Sequence, residues 1–140
     1  MKSRLEVTEK LKKYFATKPE IYSAYLFGSV VEKKQRKDSD IDIALFINDK
    51  KIKNPLLYRM KLNTDLMELL KRKTDLVILN FANLLLRAQV FEKGQLIYEK
   101  DENKRALFQA YSMGLYYDYK KYLGFHSRHL KKKIKEVGLG

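Results

Sequence analysis

The sequence predicts an α/β (α+β) fold: a small mixed β-sheet with helices packed against it. Three observations lead there. Apolar residues recur at helical spacing in some stretches and alternate, or run short and unbroken, in others. These stretches follow one another as helix, strand, strand, helix, strand, helix, strand, helix, an order that places helices over a sheet rather than beside a separate bundle. The chain of 140 residues is 45% hydrophobic and holds ten Tyr and seven Phe, enough apolar material for a real core. A single domain over residues 1–140 is expected, with its core at about 8–100 and a helical extension over 101–140.

Val7, Leu11, Tyr14 and Phe15 set an opening helix that runs from about Thr8 and stops before Pro19. Ile21 to Phe27 reads as a strand ending at Gly28-Ser29, where a glycine makes a tight turn cheap. Val30 to Lys37 is polar and basic, a short helix or loop, and alternation resumes from Asp40 to Ile47 as a second strand. Strands this close in sequence are expected to be neighbours. Asn54-Pro55 opens a second helix, with Asn54 as the cap and Pro55 in the first turn. Leu56, Met60, Leu66, Met67 and Leu70 fall roughly on its apolar face. The nearly all-apolar Thr74 to Leu79 predicts a strand covered on both sides. A helix over Asn83 to Phe91 ends at Gly94, and Gln95 to Tyr98 adds an edge strand. Leu107, Tyr111, Leu115 and Tyr122 keep helical spacing from Asn103 to about Tyr122, and Gly124 allows a break before the basic tail HSRHLKKKIKEVGLG.

Thirty Lys and Arg against seventeen Asp and Glu give a net charge of +13, which attracts phosphates, nucleic acid or an acidic protein. A self-repelling, soluble surface or a heat-adapted composition explains the same excess. No cysteine occurs, which excludes disulfides, thiolate metal sites and cysteine nucleophiles. The N-terminal stretch lacks an apolar signal core, and no apolar run approaches the roughly twenty residues of a membrane span. The expectation is a cytoplasmic protein with no membrane association.

Within this basic chain, acid gathers at Asp38, Asp40 and Asp42. Residues two apart in a strand share a face, so Asp40 and Asp42 project together while Ile41 and Ile43 point to the core. Like charges this close need a cation, and paired hard oxygens suit Mg²⁺, which also takes phosphate oxygens and water. Asp75, the one acid in TDLVILN, heads the third strand and stands where a neighbouring strand would bring it beside the pair. Three carboxylates on adjacent strands make a two-metal site for phosphoryl or nucleotidyl transfer. Gly28 and Ser29 end a strand with free backbone N–H groups and a hydroxyl, which suits phosphate. Taken singly, a Gly-Ser pair is an ordinary turn and an Asp-x-Asp a solvated strand edge; their joint occurrence carries the reading.

Gly28-Ser29, the ten residues Val30 to Ser39, and Asp40-Ile41-Asp42 together resemble the GS-x10-D-x-D signature of the polymerase-beta-like nucleotidyltransferases. The chain is similar to the minimal nucleotidyltransferases (MNT), and within them to the MntA-type antitoxins paired with HEPN ribonuclease toxins. The likeness covers about Tyr14 to Tyr98. It extends to Thr74-Asp75-Leu76-Val77, Leu86-Arg87 and Gly94 to Tyr98. The resemblance implies that Asp40 and Asp42 bind Mg²⁺, two ions in all, and that Asp75 completes the metal site and helps deprotonate the acceptor. It implies that Gly28 and Ser29 hold the phosphates of ATP, and that AMP passes to a tyrosine of a HEPN-type toxin with release of pyrophosphate. Many relatives carry an arginine directly after Gly-Ser and an Arg-Gly pair further on. Here Val30, Val31, Glu32 and Lys33 fill that stretch, leaving Lys33, Lys34, Arg36 or Lys37 as substitutes.

Other features have blander readings. His126 and His129 read as ordinary exposed histidines without a paired acid or cysteine. The tyrosines from Tyr111 to Tyr122 read as core and interface packing rather than base-stacking platforms. The tail from Arg128 to Lys135 is either a partner-binding helix or a solvated terminus. Two rival functions stand beside AMP transfer to a toxin: transfer to a small molecule or an RNA end, and an antitoxin that neutralises by binding alone. Nucleic-acid binding is compatible with the charge but not required by it.

Overall fold

The computed structural model describes residues 4–28 and 40–136, and in the last helix the side chains only to Gly124 and at Lys132. In chain order the elements are α1 (Arg4–Ala16), β1 (Ile21–Phe27), β2 (Ile41–Ile47), α2 (Pro55–Leu70), β3 (Thr74–Ile78), α3 (Leu84–Lys93), β4 (Gln95–Glu99) and α4 (Glu102–Glu136). Short 3-10 turns at Asp49–Lys51 and Leu79–Phe81 precede α2 and α3. The four strands form one mixed sheet in the order β3-β2-β1-β4. β1 is antiparallel to both β2 and β4, whereas β3 lies parallel to β2 because α2 carries the chain back across the sheet.

Each face of the sheet has its own apolar layer. On one, Leu11 and Phe15 of α1 and Leu62, Leu66 and Leu70 of α2 pack over Leu26, Ile41, Ile43, Leu45 and Leu76. On the other, α3 and α4 cover less: Val90, Leu86, Phe91 and Phe108 meet Tyr25, Ala44 and Leu79. Phe46 stacks on Phe108 with ring centroids 4.2 Å apart. The alternation of β2 decides which side chains go where, since Ile41, Ile43, Leu45 and Ile47 enter the first layer and Ala44 the second. In β1 a register shift between Ile21 and Ser23 changes the parity, so that Ile21, Ala24 and Leu26 reach one layer together.

Local chemistry ends and starts the elements. The side chains of Asn54 and Asn83 accept from Leu57 N at 3.1 Å and Leu86 N at 2.8 Å, capping α2 and α3. Gly94 closes α3, its N–H donating to Val90 O at 2.8 Å; a Cβ there would lie 2.4 Å from that oxygen. Asn80 then joins the sheet through its side chain, accepting from Ile47 N at 3.0 Å and donating to Ile47 O at 2.9 Å. The amide thereby supplies the end of β2 with the pair of bonds that a neighbouring strand would have made.

Three expectations change. Leu56 and Met60 lie on the exposed side of α2, and Leu62, Leu66 and Leu70 are its buried residues, because the helix presents to α1 and the sheet a face rotated from the one inferred. β3 is an edge strand, so its apolar run is covered fully on one face only: Asp75 is exposed and Val77 half-buried. α4 runs unbroken through Gly124 to Glu136, since a glycine permits a break without imposing one. Its inward residues are Phe108 and Ser112, while Leu107, Tyr111 and Tyr122 face solvent. Val30 to Lys37 lies outside the described residues.

Candidate functional site

The less covered face of the sheet carries the acids. α3 and α4 reach Tyr25 and Ala44 but stop short of the start of β2, so Asp42, two residues before Ala44 on the same face, is only half-buried. Parallel pairing sets Asp42 directly opposite Asp75, with Ile41 opposite Thr74 and Ile43 opposite Leu76. Adjacent strands lie about 4.8 Å apart, so the two carboxylates leave the sheet as close neighbours on one face. Asp40 is exposed, one residue ahead of β2, and the Ile41 N–H that follows it donates to Lys73 O at 3.0 Å. That bond ties the start of β2, next to Asp40, to the residue just ahead of β3, which holds Asp75.

The electrostatics follow from this crowding. The Asp42 carboxyl is pushed up from 3.8 to about 6 by burial first, then by the charges of Asp75 and Asp40. A carboxylate ringed by like charge, with a solvent-facing side, is a setting that a divalent cation relieves. Among the described residues no group of three or more acidic or histidine side chains closes around a point fit for a metal ion. Asp42 and Asp75 stand as a pair across β2 and β3, with Asp40 near enough to act on Asp42 by charge. This fits Mg²⁺, which binds through one or two carboxylates and takes its remaining oxygens from substrate phosphate and water.

Gly28 borders the same spot from the other side. Phe27 is the β1 partner of Asp42, and Gly28 follows it with φ +72. A Cβ on Gly28 would stand 2.1 Å from Asp42 Oδ2. Both the left-handed backbone and the absence of a side chain are thus required, and the turn passes against the carboxylate with its backbone bare. Across the strands β1, β2 and β3 the order is bare turn, half-buried acid, exposed acid. Ser29, Asp38 and the basic residues Lys33, Lys34, Arg36 and Lys37 lie outside the described residues.

Arg87, part of the family likeness at Leu86-Arg87, and Asn80 have supporting roles that the sequence pattern does not reveal. Arg87 donates from Nε to Leu79 O and from Nη2 to Asn80 O, both at 2.9 Å, and from Nη1 to Ser112 Oγ at 3.3 Å. Its guanidinium also lies 4.9 Å from the Phe108 ring centroid, so one side chain ties the end of β3 to α3 and α4. An arginine after an apolar Leu84-Leu85-Leu86 run and an asparagine closing an apolar strand were the available signals.

Comparison with known proteins completes the description. A family model described as polymerase beta, nucleotidyltransferase matches residues 9–103. None of the curated proteins searched matches the chain. Among solved structures, a toxin–antitoxin complex with AMP-PNP is 25% identical with a TM-score of 0.68, covering 93% of this chain and 94% of that one. The toxin–antitoxin MntA-HepT is 23% identical with a TM-score of 0.64 over 96% of this chain and 95% of that one. A tri-AMPylated Shewanella oneidensis HEPN toxin in complex with MNT antitoxin gives 23% identity and a TM-score of 0.62 over 94% and 92%. The last two, at this identity, establish a shared fold.

Proposed function

Because the chain belongs to the polymerase beta nucleotidyltransferase family, we propose that this nucleotidyltransferase is an antitoxin that moves AMP from ATP to a tyrosine of a HEPN-type toxin. The observation that carries the reading is the Asp42–Asp75 pairing across β2 and β3 beside the bare Gly28 turn. Similarity to a toxin–antitoxin complex with AMP-PNP, at 25% identity, supports ATP as the donor and a toxin as the partner. The tri-AMPylated toxin of a structural neighbour supports a protein acceptor. Among the described residues no helix is long and apolar enough to cross a membrane.

In this mechanism the phosphates of ATP lie against the turn at Gly28 and Ser29. Asp40, Asp42 and Asp75 would hold two Mg²⁺ ions, which when bound offset phosphate charge and lower the pKa of an attacking hydroxyl. Asp75, on the outer strand, faces the acceptor and takes up the phenolic proton. The tyrosine oxygen forms a bond to the α-phosphorus, the bond from that phosphorus to the bridging oxygen breaks, and pyrophosphate leaves with the electron pair. The phenol of the toxin is left as an AMP ester.

Incubation of the protein with labelled ATP, Mg²⁺ and a purified HEPN-type toxin tests this. Wild type should place label on toxin tyrosine, and Asp42→Asn should lower the rate by at least about a thousandfold. Gly28→Ala, which drives a methyl into the Asp42 carboxylate, should cost at least about a hundredfold. A neutralisation by binding alone predicts no label and full protection from Asp42→Asn.

A further inference from the structure

The open edge of the sheet carries a groove that the nucleotide chemistry does not use. It lies beside β3, has a volume of about 450 Å³, and is lined by Leu56 and Arg59 of α2, Val77 of β3, and Phe81 and Leu86 before and within α3. Leu56 and Phe81, 57% and 53% exposed, are among the large apolar side chains that the described structure leaves at the surface. Val77 stands two residues from Asp75 on the same face of β3, so the groove begins one side chain away from the carboxylate pair.

We propose that this groove seats the tyrosine-bearing segment of the protein acceptor; the inference rests on the adenylyl-transfer reading above. Sidedness is the first argument. The nucleotide turn at Gly28 lies on the β1 side of Asp42 and the groove lies on the β3 side of Asp75. An in-line displacement brings the attacking oxygen in from the side opposite the departing pyrophosphate, which is the groove side. The second argument concerns the lining. Mostly aliphatic and aromatic walls with one guanidinium at the margin suit a phenol flanked by apolar residues, and suit poorly a polycationic sugar or a phosphate-rich RNA end. The third concerns the backbone. Arg59 Nη1 donates to Leu76 O at 3.4 Å, covering part of the β3 edge. The segment is therefore read by side chains in the groove and not by adding a fifth strand.

Leu56→Glu and Phe81→Glu place a charge in the groove at exposed positions, so both variants are expected to fold. Steady-state AMP transfer to the toxin should show KM for the toxin raised at least about tenfold. AMP-PNP binding should stay within about twofold of wild type, which separates acceptor docking from damage to the nucleotide site. Leu107→Glu, in the second turn of α4, outside the groove and 72% exposed, should leave KM unchanged. A photo-crosslinking benzoyl-phenylalanine in place of Phe81 should capture the toxin at or beside its modified tyrosine. Unchanged KM in both groove variants, or a crosslink mapping elsewhere on the toxin, overturns the docking site while leaving AMP transfer standing. A wild-type protein that labels no toxin overturns the function and the groove's occupant together.

Discussion

At the scale of single residues, Asp42 concentrates the physics of the site. It is buried enough to resist ionisation, it lies near two further carboxylates, and it occupies the space that the missing Cβ of Gly28 leaves free. The consequence for stability has a definite sign. Its pKa of about 6 in the folded protein exceeds the ordinary 3.8, so the folded state binds the proton more tightly than the unfolded chain. Without metal, the contribution of this group is most favourable below pH 4 and is lost as pH rises through about 6. Undiscounted, a shift of this size corresponds to roughly 3 kcal/mol, and solvent screening at a half-exposed position reduces it to about 1 kcal/mol. Asp42→Asn should therefore be more stable than metal-free wild type at pH 7 by about that 1 kcal/mol and no more stable at pH 4, as read by urea unfolding at the two pH values. Saturating Mg²⁺ should narrow the gap at pH 7 by stabilising wild type alone.

Between elements, the second layer of the sheet depends on a few polar ties because its apolar cover is thin. Arg87 satisfies the carbonyls of Leu79 and Asn80, bonds Ser112 and lies over Phe108, so its removal strands two acceptors and uncouples α4 from the end of β3. Arg87→Ala should cost about 3 kcal/mol in denaturant unfolding, and Arg87→Lys should recover less than half of it, since an ammonium lacks the planar fork that reaches both carbonyls. The elements themselves were largely legible in the sequence. β1 coincides with Ile21 to Phe27, and the asparagine caps of α2 and α3 act at the expected residues. Helix faces were not legible to the same degree. In α4 the spacing of Leu107, Tyr111 and Leu115 is as helical as that of Phe108 and Ser112, yet it is Phe108 that stacks on β2 and Ser112 that is buried against Arg87 of α3. Periodicity measures that a face exists; which of two competing faces is buried depends on what it packs against.

Over the whole molecule, the described chain divides its labour between a packed sheet and a long projecting helix. Past Ser112, α4 has no buried side chain among the described residues, so ending the chain after Leu123 should leave the unfolding midpoint within about 2 °C of wild type while lowering far-UV helicity. By itself the sequence determined the order of elements, the presence of a bare glycine turn ahead of an Asp-Ile-Asp strand, and a solitary acid at the head of another strand. These are local properties, written in alternation, capping residues and the missing Cβ of Gly28. Only the tertiary structure decided that β3 lies parallel to β2 and in the register that faces Asp75 with Asp42. It also made β3 the sheet edge, which opens the groove at Val77 and Phe81. Register and edge position arise from contacts between residues more than thirty apart along the chain, and a slip of one residue would have turned Asp75 to the opposite face without altering any local preference.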